Sequence, residues 1–229
     1  MSGKKKKKKV DKKLKIELAS YSPETTYDQL QKVCFFAVYH KIPVLSVPLY
    51  LVDKAKPYLV DTKVACLLDF PFGYSTTQIK HHSIIRACNL GADIVEMTMN
   101  NGLIFNKEWD KIHIEVKTSM ELCKSKGVEF RVAVDHKWFE NDYFVELCNA
   151  LSYTGVDGIV TNAGTNIDDP IDNILVSRRV EKEIKIKVIC ASNMFTEKHI
   201  ESIMTIPEID RVRISNYGLA NRVLGSCGV

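Results

Sequence analysis

The sequence predicts an α/β protein of the (β/α)8, TIM-barrel class, and three observations carry that expectation. Short apolar runs alternate along the 229 residues with stretches of helical period, the pattern of a parallel sheet whose strands are joined by helices. Eight such units fit a chain of this length closed into a barrel. Glycines also stop the helical stretches at points that leave room for the next strand. No interior linker, low-complexity insert or short repeat interrupts the alternation, so residues 14–229 read as one barrel domain and residues 1–13 as a basic arm before it.

Taken in order, the expected strands cover 14–18, 43–47, 63–68, 93–99, 129–135, 157–161, 186–191 and 209–214. After the first, Ser22-Pro23-Glu24 offers a capping hydroxyl, a proline for the first turn and an early acid, so the first helix is expected to start there. His81-His82 follows Gln78-Ile79-Lys80 in a helical stretch after the third strand and reads as a solvated face. Gly91, Gly127 and Gly155 sit where helices need a left-handed C-cap, ahead of strands four, five and six. The period of two then turns Glu96 and Thr98 inward on strand four and Arg131 and Asp135 on strand five. On strand six it turns in Gly158, Val160 and Asn162, and on strand seven Lys187, Ile189 and Ala191. The plainest use of Glu96 and Arg131 is an ion pair with each other inside the barrel.

Composition is that of a water-soluble chain, 45% hydrophobic and 26% charged. No apolar run approaches the roughly 18–20 residues of a membrane span. A cytoplasmic location is expected, and the lysines Lys4, Lys5, Lys6, Lys7, Lys8 and Lys9 do not open a secretory signal, because Val10-Asp11-Lys12-Lys13 follows instead of an apolar segment. Seven cysteines, an odd number without a C-x-x-C pair, read as small core residues in a reducing compartment. Glu96, Asp135 and His136 have the chemistry of metal ligands, but no close-spaced ligand motif accompanies them, and His136 reads more simply as a hydrogen-bonded loop residue. Neither a metal nor a cofactor is expected.

Charge is unevenly spread. Nine of the 32 basic residues and one of the 28 acidic residues lie within positions 1–15, leaving 23 against 27 in the remainder, a body of −4. A run such as Lys4–Lys9, with Lys12 and Lys13, has no apolar face to bury. Its default use is electrostatic attachment to a polyanion, whether nucleic acid, an acidic membrane surface or an acidic protein. With no adjacent aromatic or arginine, it is not expected to read sequence. The bland reading is a solubilising or nuclear-targeting tail.

Five ordered segments carry a family resemblance. They are Gly155-Val156-Asp157-Gly158-Ile159-Val160-Thr161-Asn162-Ala163-Gly164, Asp69-Phe70-Pro71-Phe72-Gly73-Tyr74-Ser75-Thr76-Thr77, Gly91-Ala92-Asp93-Ile94-Val95-Glu96-Met97, Arg131-Val132-Ala133-Val134-Asp135, and Val188-Ile189-Cys190-Ala191-Ser192-Asn193-Met194-Phe195-Thr196. Respectively they resemble G-A-D-F-V-K-T-S-T-G, G-F-P-x-G-x-x-T-T, G-A-D-E-I-D-M, K-V-I-I-E and V-K-A-S-G-G-I-R-T of the deoxyribose-phosphate aldolases. The resemblance implies a TIM barrel and, in the family, class I aldolase chemistry on a phosphorylated sugar. It also places Val160 where the family has its Schiff-base lysine and Ile189 where a second lysine lowers the pKa of the first.

Imine formation needs an amine that is unprotonated often enough to attack a carbonyl, and neither replacement carries one. Glu96 takes the place of the proton-shuttling aspartate and is read as a vestigial acid/base. Phosphate in such barrels is gripped by glycine-rich turns after the late strands. Here the glycine pair is Ser192-Asn193, the turn after Gly164 becomes Thr165-Asn166-Ile167-Asp168-Asp169, and the terminal G-A-S-S becomes Arg213-Ile214-Ser215-Asn216. Gly164, Ser192, Asn193 and Arg213 are thus expected to mark an eroded phosphate site, with Arg213 either an anion ligand or a surface ion-pair partner. The family's D-H-T and C-V-N-P are Glu17-Leu18-Ala19 and Ser46-Val47-Pro48-Leu49.

The expectation is a barrel that has lost imine chemistry and works as a scaffold or binding component, in a nucleoprotein assembly such as a virion if the arm meets nucleic acid. Protein partners, including further copies of the chain, suit that role. The alternative is an active carbon–carbon lyase on phosphorylated sugars that uses Glu96 or a relocated lysine, Lys137 or Lys187.

Overall fold

The computed structural model describes residues 15–164 and 167–225. Its strands are β1 (Ile16–Ala19), β2 (Val44–Pro48), β3 (Lys63–Leu68), β4 (Ile94–Thr98), β5 (Glu129–Ala133), β6 (Gly158–Val160), β7 (Val188–Ala191) and β8 (Arg211–Ile214). They pair in parallel in sequence order and close as β8 meets β1, Glu17 lying opposite Arg213. All eight expected strands are present, most of them shorter at their ends than the apolar runs that announced them.

Each strand is followed by helix. These are α1 (Tyr27–Tyr39), a short α2 (Val52–Ala55), α3 (Thr77–Asn89), α4 (Asn101–Phe105), α5 (Trp109–Ser125), α6 (Asn141–Ser152), α7 (Pro170–Ile184), α8 (Glu197–Thr205) and α9 (Tyr217–Leu224). Ser22-Pro23-Glu24 does not start α1. Thr26 caps it instead, its hydroxyl accepting from Gln29 N while the Gln29 side chain accepts from Thr26 N. Two otherwise unmatched donors are satisfied that way, whereas the Ser22 carbonyl closes a turn with Thr25 N at 3.0 Å. Gly91, Gly127 and Gly155 have positive φ as expected.

Alternation along the strands sorts the core. Ile16, Leu18, Val95, Met97, Phe130, Val132, Ile159, Val188, Cys190, Val212 and Ile214 face the helices and join one large apolar cluster. Residues of opposite parity fill the barrel: Val44, Ala65 and Ile94 form one small cluster on β2, β3 and β4, and Ala133, Val160, Ile189 and Ala191 another on β5, β6 and β7, joined by Ala163 just beyond β6. Gly73 fixes the turn after β3 against β4, because a Cβ there would lie 2.3 Å from the Met99 carbonyl oxygen. No helix among the described residues is long and apolar enough to cross a membrane.

Candidate functional site

Charged side chains lie between the two small interior clusters. Arg213 Nη1 donates to Glu96 Oε1 at 2.7 Å, Nη2 reaches Glu96 Oε2, and Nε donates to Glu17 Oε1 at 3.0 Å. From the other side, Arg131 Nη1 donates to Glu17 Oε2 at 2.8 Å and Arg131 Nε to Glu129 Oε1 at 2.8 Å. Ser46 Oγ adds a 2.8 Å bond to Glu17. Burial by itself would raise the Glu17 carboxyl, but the guanidinium groups of Arg213 and Arg131 outweigh it and hold it at about 2. Burial likewise works against the Arg213 cation, and Glu96 and Glu17 overcome it, raising its pKa above the ordinary arginine value.

Three expectations are corrected by this arrangement. Glu96 and Arg131 are cross-strand neighbours but do not take each other as hydrogen-bonded partners; Glu96 pairs with Arg213, and Arg131 with Glu17 and Glu129. Arg213 is neither at the surface nor turned to an outer anion site, since inward parity on β8 aims its guanidinium at two carboxylates. Lys187 is exposed and is no interior residue. It precedes β7, at the N-terminal end of the barrel, where a long side chain escapes to water. Glu17 was missed. Its signal was available, because it holds inward parity on β1 just as Arg213 does on β8.

Val160 and Ile189 are fully buried, paired across β6 and β7, and surrounded by alanines. Asp135, just beyond β5, is buried and accepts from Ala163 N. His136 is buried as well, its Nδ1 3.3 Å from the Thr161 carbonyl and its Nε2 3.7 Å from Asp172. Lys137 is at the C-terminal mouth, exposed, with Nζ on the Ile167 carbonyl. Among the described residues no group of His, Cys, Asp and Glu is arranged to hold a metal ion. The described cysteines are free thiols, and burial pushes Cys34 and Cys190 up to about 12.

Side-chain hydrogen bonds knit the mouth above β6, β7 and β8. Asn193 donates to the Gly164 carbonyl at 2.9 Å and accepts from Tyr21 at 3.0 Å and Ser215 at 3.2 Å. Ser192 donates to Asp168 at 2.6 Å, and Asp168 also holds Asn173 at 2.7 Å. Gly164 lies under the Tyr21–Phe70 ring pair, whose centroids are 4.9 Å apart, so a Cβ at 164 would meet the Phe70 ring at 3.0 Å. Lys4 to Lys9, Lys12 and Lys13 lie outside the described residues.

No family model matches the chain. Individual relatives do. A deoxyribose-phosphate aldolase of Clostridioides difficile (strain 630) is 30% identical over 167 residues, covering 71% of this chain and 75% of the relative. One from Thermococcus kodakarensis is 26% identical over 153 residues, covering 65% and 68%. Among solved structures, an aldolase called QR15 superposes with a TM-score of 0.80 at 19% identity over 89% of this chain and 91% of that one. A tetrameric deoxyribose phosphate aldolase from Aeropyrum pernix gives 0.80 at 15% identity over 94% and 91%; these two likenesses speak to the fold. By sequence and by fold, the chain belongs to the deoxyribose-phosphate aldolase family.

Proposed function

We propose that this barrel forms no imine at the family's lysine position and serves in the cytoplasm as a binding or structural component, with the basic arm over residues 1–13 as its electrostatic attachment to a polyanion such as nucleic acid. The observation that carries the reading is the pair Val160 and Ile189, both fully buried among alanines. A nucleophilic amine has to be desolvated and yet reachable by the carbonyl; these positions offer apolar packing and no proton to give. Glu96, read as a vestigial acid/base, is held by Arg213, so a substrate would have to break that pair before using it. The eroded phosphate grip at Gly164, Ser192 and Asn193 is filled by hydrogen bonds within the protein.

The second reading, an active lyase with a relocated amine, draws on Lys137, which reaches over the C-terminal mouth. Borohydride trapping with 2-deoxyribose 5-phosphate and with acetaldehyde, read by intact mass and peptide mapping, separates the two. No adduct is expected. A stable adduct at Lys137 would overturn the proposal and establish the lyase.

A further inference from the structure

The mouth is not closed all the way round. Over β3, β4 and β5 a cleft of about 470 Å³ lies between Phe72, Tyr74, Phe105 and Trp138, with Asp135 also on its wall. Its rings are exposed, from 47% at Trp138 to 68% at Tyr74. Phe72 and Tyr74 stack on each other, centroids 5.5 Å apart and 12° between planes. On the far side of Trp138 a second groove of about 400 Å³ is lined by Glu140, Asp142 and Asp172, with Lys137 among its walls. Arg179 already occupies Asp142. Aromatic faces attract cations, and this rim carries more carboxylates than cations, so the two grooves together suit a chain of positive side chains and repel a phosphate backbone.

We propose that the aromatic and acidic grooves beside Trp138 are a docking site for the lysine run Lys4–Lys9 of a second copy of this chain. Charge complementarity selects the occupant: the arm is +8 over residues 1–15 and the remainder is −4. The root of the arm favours the second copy. Lys15 Nζ is bound to the carbonyls of Ile206, at 2.5 Å, and Ile209, at 2.7 Å, ahead of β8. The chain therefore enters β1 at the N-terminal end of the barrel, while both grooves are at the C-terminal end. An extended segment from Lys4 to Lys13 reaches at most roughly 33–36 Å, enough to bridge from one barrel's base to the next barrel's mouth. The contact is head-to-tail, which builds open chains or rings instead of a closed pair. The assignment rests on the reading of the arm as an attachment to a polyanion, names the acidic rim of a second copy as that polyanion, and stands even if the barrel turns over substrate.

Sedimentation velocity on the full chain tests it, at low and high salt and over a range of concentrations. Mass should grow with concentration at low salt and fall as salt screens the contact. Changing all six lysines, Lys4–Lys9, to Gln should leave a monomer. Trp138→Ala with Glu140→Gln, both at exposed positions, should weaken association roughly tenfold or more, with circular dichroism confirming the fold. The two variants mixed should form pairs and nothing larger, because one supplies only a working cleft and the other only a working arm. A wild type that stays monomeric in low salt, an arm variant that still associates, or a mixture that makes no pairs overturns the proposal. A monomer that binds duplex DNA through the same lysines would also overturn it, with nucleic acid then the polyanion that the arm meets.

Discussion

Val160 and Ile189, on β6 and β7, meet alanines across the barrel interior, whereas Glu17, Glu96, Arg131 and Arg213, on β1, β4, β5 and β8, meet one another. The first sector is held by dispersion and exclusion of water, and losing part of it leaves a small void. In the second, each carboxylate is tolerable only because a guanidinium neutralises it, so losing one member strands the others. The contrast also bears on chemistry. A lysine placed in the apolar sector would arrive beside a charge set whose anions already have partners, so a carboxylate to neutralise it would have to be taken from Arg213, and that carboxylate would hold the amine protonated.

The largest expected effect lies in the charged sector. Arg213→Met removes the cation shared by Glu17 and Glu96 and should cost about 3–5 kcal/mol, measured by urea unfolding. A loss below about 1 kcal/mol would mean that water or Arg131 takes over and that the sectors do not differ in kind.

Acid should probe the same sector without mutation. The Glu17 carboxyl is held at about 2, below the value of 4.5 it has when free. Its contribution to stability is therefore complete above about pH 4.5 and drains away as pH falls toward 2, by on the order of 3 kcal/mol in total. Glu17→Gln should flatten that part of the stability–pH curve. An unchanged curve would show that other carboxylates dominate acid unfolding.

In the apolar sector the expected effect is smaller. Val160→Lys places a cation among methyl groups and should cost about 2–3 kcal/mol, less if Glu96 turns toward it. The variant should form little or no trapped imine, and adding Ile189→Lys should restore little more, because the mouth above is still bridged by Asn193. Robust turnover by the single variant would erase the distinction between the sectors.

The barrel was legible because its signals are local and repeated: apolar alternation, and glycines at 91, 127 and 155 that end helices. Inward parity also placed Glu96, Arg131, Val160 and Ile189 correctly inside. What parity cannot give is partner choice among inward charges, since Glu96 could face Arg131 beside it or Arg213 across the barrel, and the answer depends on tilt and side-chain reach. Parity also says nothing about height along the axis, which is why Lys187 was read as interior although it lies below β7 in water. Ser22-Pro23-Glu24 reads as a helix start, but reciprocal capping between Thr26 and Gln29 begins α1 only at Tyr27.

The smallest expected effect is at the mouth. Asn193 ties Gly164, Tyr21 and Ser215 together, but it is exposed, so water can replace each bond when the side chain is removed. Asn193→Ala should then cost only about 1 kcal/mol, and by the scaling for domains of this size the melting temperature should drop by roughly 2–4 °C. Because the buried acid Asp168 remains nearby and already holds the Ser192 hydroxyl, the variant should gain no affinity for inorganic phosphate by calorimetry. If phosphate binding does appear, Asn193 alone closes an intact anion site above β6, β7 and β8, and that part of the mouth is blocked by a single side chain instead of rebuilt.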